Sequence, residues 1–290
     1  MTRWALLADV HGNLEALEAV LEHLTDWPGA ALICAGDVVG YGADPEACVE
    51  RLEARRALCV AGNHEGMVLG RLGFDRCVRA GVRAALWTRK VLSPAAVRWL
   101  GELPLTRRAP PDLVVCHGSP SDPQFYVSTS GRAEAALAEL ARERPDGRRL
   151  VCEHTHHQML HVERRGPVAF APGVPLELPR VGRCLINPGA VGQSRDGQPL
   201  ARYARYDAER HTVTFLEVPY DHQRTCAKLR RAGLVPQVAI GQVAIGGSRR
   251  LAQHVEGWRT RLTAWRVWRT AQRSSAIPGP PPGSGSHLDR

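Results

Sequence analysis

Trp4-Ala5-Leu6-Leu7-Ala8-Asp9-Val10-His11-Gly12-Asn13 is the stretch on which the fold turns. An apolar run of strand length meets an acid and an imidazole. Leu14, Leu17, Val20, Leu21 and Leu24 then recur at the helical period, until Pro28-Gly29 interrupts them. A buried strand, a polar loop and an amphipathic helix make the first half of a βαβ unit. Working outward, residues 31–35 give a second strand, residues 45–54 a second helix with proline in its first turn, and residues 58–61 a third strand. Such a series implies a parallel sheet whose chemistry sits on loops at the strand carboxyl ends.

Residues 65–103 read as mostly helical, notably 78–91 and 94–100, and are expected over or beside those loops. Short strands follow at 112–116 and 149–152, separated by a helix over about 132–144. Beyond them the period changes to two. Apolar alternation around 162, 168–170, 184–186, 202–206 and 212–218, split by Gly, Pro and Asp turns, predicts antiparallel strands forming a second sheet. The expected fold is α/β, a layered sandwich of two mixed β-sheets flanked by helices. It occupies residues 1–233, followed by a basic helical extension over 234–273 and a Pro, Gly and Ser-rich tail over 274–290 without fixed structure.

The net charge of +9 belongs to one segment. Residues 1–220 hold 26 basic and 26 acidic side chains, whereas residues 221–273 hold 11 basic against two acidic. Any attraction to nucleic acid or an anionic surface is therefore expected from the extension. There the unit Gln237 to Gly241 repeats as Gln242 to Gly246. After it Leu251, Val255, Trp258, Leu262 and Trp265 form an apolar stripe among arginines, suited to docking on the chain's own core or on a second copy. No apolar run reaches the roughly 18 residues of a membrane span, and Asp9 cuts short any secretory core, so a cytoplasmic location is expected. The eight cysteines form no C-x-x-C pair and read as small buried hydrophobes.

Five short motifs follow apolar runs in order: Asp9 with His11, Asp37, Asn63 with His64, His117, and His154 with His156. One face of one sheet would gather them. Carboxylates, imidazoles and an amide together suit Mn, Fe, Zn or Ni better than the all-oxygen cages of Ca or Mg. Two such ions about 3.5 to 4 Å apart can share a carboxylate and a water, acidify that water and clamp a phosphoryl group, which points to a hydrolase. His23, His157, His161, His211, His222, His254 and His287 lie outside the pattern and read as partnered polar residues.

Asp9-Val10-His11-Gly12-Asn13, Gly36-Asp37-Val38-Val39-Gly40-Tyr41-Gly42, Gly62-Asn63-His64-Glu65, His117-Gly118-Ser119-Pro120 and His154-Thr155-His156 resemble the five signatures of the calcineurin-like metallophosphoesterases over roughly residues 3–233. Ile186-Asn187-Pro188-Gly189-Ala190-Val191-Gly192-Gln193, with Arg195-Asp196-Gly197 and Tyr203, resembles their compact bacterial and archaeal branch. The resemblance implies two divalent ions, manganese foremost with Fe, Ni or Zn as alternatives. Asp9, His11 and His156 would hold one, Asn63, His117 and His154 the other, and Asp37 would bridge them. It further implies a hydroxide nucleophile between the ions, His64 as leaving-group acid or transition-state ligand, and Asn63, Arg195 and Tyr41 as substrate contacts. The expected substrate is a small phosphodiester such as a cyclic nucleotide.

Protein Ser/Thr phosphatases and dinucleoside polyphosphate hydrolases are the rival activities. Their second motif usually continues with a phosphate-gripping arginine, where this chain has Tyr41. Glu153 stands where the family's last motif usually begins with glycine, so a strained loop, an added carboxylate at the ions and a weakly active or non-catalytic metal-binding scaffold also enter the expectations.

Overall fold

The computed structural model describes residues 3–234. Along them run β1 (Arg3–Leu7), α1 (Leu14–His23), β2 (Ala31–Cys34), α2 (Pro45–Ala54), β3 (Leu58–Cys59), α3 (Asn63–Val68), α4 (Arg79–Val91), α5 (Pro94–Glu102), β4 (Thr106–Ala109) and β5 (Leu113–Cys116). Then come α6 (Ser130–Glu143), β6 (Arg149–Val151), β7 (Met159–Val162), β8 (Gly166–Val168), β9 (Pro175–Glu177), β10 (Cys184–Asn187), β11 (Leu200–Asp207), β12 (Thr212–Pro219) and α7 (His222–Arg231).

Two six-stranded sheets form, in the orders β3-β2-β1-β11-β12-β9 and β4-β5-β6-β10-β7-β8. In the first, β1, β2 and β3 are parallel as the opening series requires, with Leu7 opposite Cys34 and Cys34 opposite Cys59. In the second, β5, β6 and β10 are parallel. Both sheets are mixed, because β11 joins β1 antiparallel and β7 joins β10 antiparallel.

Side-chain alternation along β1 explains why its run is apolar throughout. Ala5 and Leu7 pack with Leu17, Val20 and Leu21 of α1, whereas Trp4, Leu6 and Ala8 pack with Val115, Val151, Ile186 and Phe215 between the sheets. A strand buried on both faces has no polar position to alternate with. Val114 and Cys116 of β5 likewise face Leu137 and Leu140 of α6, giving four layers: helices, sheet, sheet, helix. Asn13 caps α1 by accepting the Ala16 N–H at 3.2 Å.

The late strands depart from the sequence reading. They do not assemble a second sheet of their own: β7, β8 and β10 join β4, β5 and β6, while β9, β11 and β12 extend the first sheet past β1. Their period of two announces a strand but not its neighbour. β11 completes the exposed edge of β1, with Leu6 opposite Ala204.

All eight cysteines are free, and all but Cys77 are buried. His23 and His161 have their expected partners, Tyr203 at 2.9 Å and Glu134 at 2.9 Å. Among the described residues no helix is long and apolar enough to cross a membrane. The pentapeptide repeat, the Arg and Trp helix with its proposed roles in self-association or anionic binding, and the tail lie outside the described residues.

Candidate metal centre

Asp9 follows β1, Asp37 follows β2, Asn63 and His64 open α3 after β3, His117 follows β5, and His154 and His156 follow β6. The sites therefore come from both sheets rather than from one face of one sheet. The carboxyl ends of both parallel sets reach the same rim of the sandwich, and backbone hydrogen bonds stitch that rim together. Asp9 N donates to Gly36 O at 3.0 Å, His11 N to Asp37 O at 2.9 Å, Gly192 N to Asp9 O at 2.8 Å, and Glu153 N to His117 O at 2.7 Å.

The stitching holds an improbable backbone. Asp9, His11, Asp37, His154 and His156 all have left-handed φ, at 49°, 49°, 52°, 73° and 63°. Each such residue costs on the order of 1–3 kcal/mol, and strain of this kind survives where the surroundings over-determine it. Glycine is required where the rim closes on itself: a Cβ at Gly62 would lie 2.2 Å from Asp37 Oδ1, and one at Gly40 would lie 2.1 Å from His64 Nδ1.

Three imidazoles are aimed by backbone carbonyls. Nδ1 lies 3.2 Å from Val39 O in His11, 2.8 Å from Ala35 O in His117 and 2.6 Å from Gln193 O in His156. A carbonyl accepts only, so each Nδ1 carries the proton and each Nε2 turns a lone pair inward. Those lone pairs meet further electron pairs. His11 Nε2 is 3.4 Å from His156 Nε2, and both approach Asp9 Oδ1, at 3.1 and 3.2 Å. His117 Nε2 is 3.0 Å from Asn63 Oδ1 and 3.2 Å from Asp37 Oδ2, with His11 Nε2 3.8 Å from the same Asp37 oxygen. Both oxygens of buried Asp9 accept no protein hydrogen bond.

Acceptors converging on acceptors is unfavourable unless a cation lies among them, and this donor set fits divalent transition ions. The groups Asp9, His11, His156 and Asp37, His117, His154 each bring their ligand atoms within 4.8 Å of one another. The titration of His117 carries the same message. Burial opposes its charge, yet Asp37 beside it lifts it to about 10: with no other cation between them, Nε2 takes a second proton that points at Asp37 and Asn63 Oδ1, where a bound cation would replace it. Burial alone would raise Asp37, and the surrounding imidazoles instead hold it below the carboxylate range.

His64 is buried with Nδ1 unpartnered, and burial lowers it to about 3 despite Asp37, so its ring is neutral at neutral pH. It stacks edgewise on His11, ring centres 4.7 Å apart, and against Tyr41 at 4.7 Å. Tyr41 is buried at φ 52°, and the segment of residues 65–103 comes beside the site here: a Cβ at Gly81 would lie 2.9 Å from the Tyr41 hydroxyl. Arg195 keeps contact with solvent and donates from Nη1 to Tyr126 Oη at 2.8 Å.

Glu153 does not strain its loop, because it is absent from the left-handed residues; His154 and His156 bear those torsions. Its buried carboxyl folds back to accept the His156 N–H at 3.1 Å. Burial, with Asp9 nearby, pushes its carboxyl up from the ordinary carboxylate range.

Three contributors escaped the sequence reading. Glu65 accepts the N–H groups of Gly62, Asp37 and Val39 at 2.7, 2.8 and 3.1 Å, tying two ligand loops together. Its position as third residue of a helix, poised to reach back to the cap, was a usable signal. Gln193, whose backbone carbonyl aims His156, closed a quoted motif but was given no role, and Tyr126, whose ring stands edge-on to His154 with centres 5.1 Å apart, carried no signal.

Comparison with known proteins agrees with this geometry. The calcineurin-like phosphoesterase superfamily domain matches residues 3–211. An uncharacterized protein of Methanocaldococcus jannaschii is 31% identical over 229 residues, covering 78% of this chain and 90% of that protein. The crystal structure of a metallophosphoesterase from Sphaerobacter thermophilus is 34% identical with a TM-score of 0.69, covering 83% of this chain and 99% of that one. A hypothetical protein of Pyrococcus horikoshii shares the fold at 18% identity and a TM-score of 0.64, over 82% of this chain and 96% of that one.

Proposed function

The chain belongs to the calcineurin-like phosphoesterase superfamily, and from that premise we propose that it hydrolyses small phosphodiesters, cyclic nucleotides among them, with two divalent cations. The carrying observation is the inward convergence of Nε2 and carboxylate lone pairs on two adjacent positions. Asp9, His11 and His156 hold one cation, Asn63, His117 and His154 the other, and Asp37 serves both; manganese is the first choice, with Fe, Ni or Zn as alternatives. When bound, such cations supply Lewis acidity, polarising the phosphoryl group and acidifying water toward a pKa of about 7.

The chain's own groups orient and neutralise the ester. Asn63 turns Oδ1 toward His117, which leaves its amide N–H groups for a phosphoryl oxygen. Neutral His64 offers one N–H to the phosphoryl or leaving oxygen. Arg195 contributes a positive charge from the solvent side, and Tyr41 walls the site with its ring. Glu153, whose carboxyl turns back onto the His156 N–H of its own loop, does not argue for the non-catalytic reading.

Metal analysis of the purified protein, with turnover of bis-p-nitrophenyl phosphate and a cyclic-nucleotide panel under defined Mn, Fe, Ni or Zn loading, tests the reading. Two equivalents of metal with diester turnover that Asp37→Asn abolishes is the expected result. Fully loaded protein inert toward every phosphoester would overturn it.

A further inference from the structure

Sixty-nine positions separate Tyr126 from Arg195, yet they meet beside the least enclosed of the candidate ligands. His154 is half-buried, the ring of half-buried Tyr126 stands at 81° to it with centres 5.1 Å apart, and the Tyr126 hydroxyl accepts from the Arg195 guanidinium at 2.8 Å. The loop behind Tyr126 is braced, since Phe125 packs under the Arg132 guanidinium 4.5 Å from its ring centre. Arg195 forms no ion pair among the described residues, and a guanidinium bonded to one phenol oxygen has further donors to offer.

The same loop holds a second unsatisfied group. Gln193 is 2% exposed, and its amide nitrogen and oxygen both lack a protein partner. Buried amides normally find partners, and an exception marks a place for water or ligand. The loop of residues 192–196 thus brings a cationic side chain, Arg195, next to the Tyr126 hydroxyl and so beside His154.

We propose that Tyr126 and Arg195 form a substrate clamp, in which the guanidinium takes a non-bridging phosphoryl oxygen and the phenol ring packs on a ring of the ester group. The site therefore prefers phosphodiesters whose second ester group is aromatic or heteroaromatic. This rests on the phosphodiesterase reading above. Arginine is suited to the first task because its planar fork matches phosphate oxygens, and tyrosine to the second because its ring buries area at little entropic cost.

The test compares bis-p-nitrophenyl phosphate with methyl p-nitrophenyl phosphate, which share a leaving group and differ in whether the other ester group carries a ring. Wild type is expected to show a KM about tenfold lower for the bis-aryl ester. R195Q should raise KM for both about tenfold or more with a smaller change in kcat, R195K should recover part of the loss, and Y126L should collapse the ratio between the two esters. Y126F, which keeps the ring and frees the guanidinium, should raise both KM values while preserving the ratio. Calorimetric binding of diphenyl and dimethyl phosphate, with and without manganese, should follow the same order independently of turnover. R195Q and Y126L with wild-type KM values and wild-type diphenyl phosphate affinity would overturn the clamp alone. A manganese-loaded wild type that neither turns over nor binds either ester would overturn the phosphodiesterase reading and the clamp with it.

Discussion

The two halves of the candidate centre would draw on similar ligands but are enclosed differently. Asp9, His11 and His156 are at most 1% exposed, and both imidazoles are fixed at Nδ1 by a backbone carbonyl. On the other side His117 is fixed in the same way, but Asn63 is 6% exposed and His154 is half-buried, with Tyr126 and Arg195 as its neighbours. Enclosure makes an ion slow to leave, and openness lets a substrate reach it. The enclosed half reads as the tight, architectural position, and the open half as the one where the ester docks.

Asp37 faces both halves, with Oδ2 3.2 Å from His117 Nε2 and 3.8 Å from His11 Nε2, so on the proposed reading its loss breaks the comparison most completely. Asp37→Asn removes the shared charge while its Oδ1 can still accept the His64 N–H seen at 2.8 Å. Several kcal/mol of transition-state stabilisation disappear, on the order of 1,000-fold in kcat/KM. Turnover within tenfold of wild type at full metal loading would show that Asp37 does not join the halves.

Replacing one ligand from each half sharpens the contrast. Asp9→Asn should abolish retention of the more tightly held equivalent and most of the cation-induced rise in Tm. His154→Gln should keep that equivalent and rise in Tm while weakening the second about 100-fold, near the upper end for disturbed metal sites. Chelator titration of the wild type with metal analysis reads both, and two steps are expected. One step, with both variants alike, would make the halves equivalent.

The convergence of the candidate ligands was legible because each motif fixes a residue type after a strand, and a strand buried on both faces, as at Trp4 to Ala8, advertises itself by unbroken apolarity. Sheet membership was not. β11 and β12 alternate as any antiparallel pair does, and only the bare edge of β1 decides where they go. Nor does a residue's name disclose its torsion: Asp9 and His154 are left-handed through the hydrogen bonds around them, and the glycine-to-glutamate change at position 153 misled because the strain sits one and three residues later. Tyr126 and Arg195 meet across 69 positions without any periodic signal.

Glu153 is the next test of the enclosed half. Its carboxyl holds the His156 N–H at 3.1 Å, so Glu153→Gly, though it restores the residue usual in the family, should weaken the tight position roughly tenfold, as loss of a ligand's support does. Isothermal titration with manganese measures this directly. A tighter site in the variant would mean that the carboxyl burdens the loop instead of supporting it.

The smallest effect is expected at Tyr41, which walls the enclosed half with its ring. Its centre lies 4.8 Å from that of His11 and 4.7 Å from that of His64, whereas its hydroxyl lies against Gly81 of α4, 2.9 Å from where a Cβ would stand. Burial pushes the phenol well above its ordinary range, so it ionises at no working pH and offers the substrate no charge. Tyr41→Phe keeps the packing and should cost about 1 kcal/mol of stability with kcat and KM within about twofold. Tyr41→Ala removes the wall, lets His11 and His64 turn, and should lower kcat well beyond that. A tenfold rise in KM for Tyr41→Phe would instead put the hydroxyl on the ester, and the enclosed half would then take part in docking as the open half does.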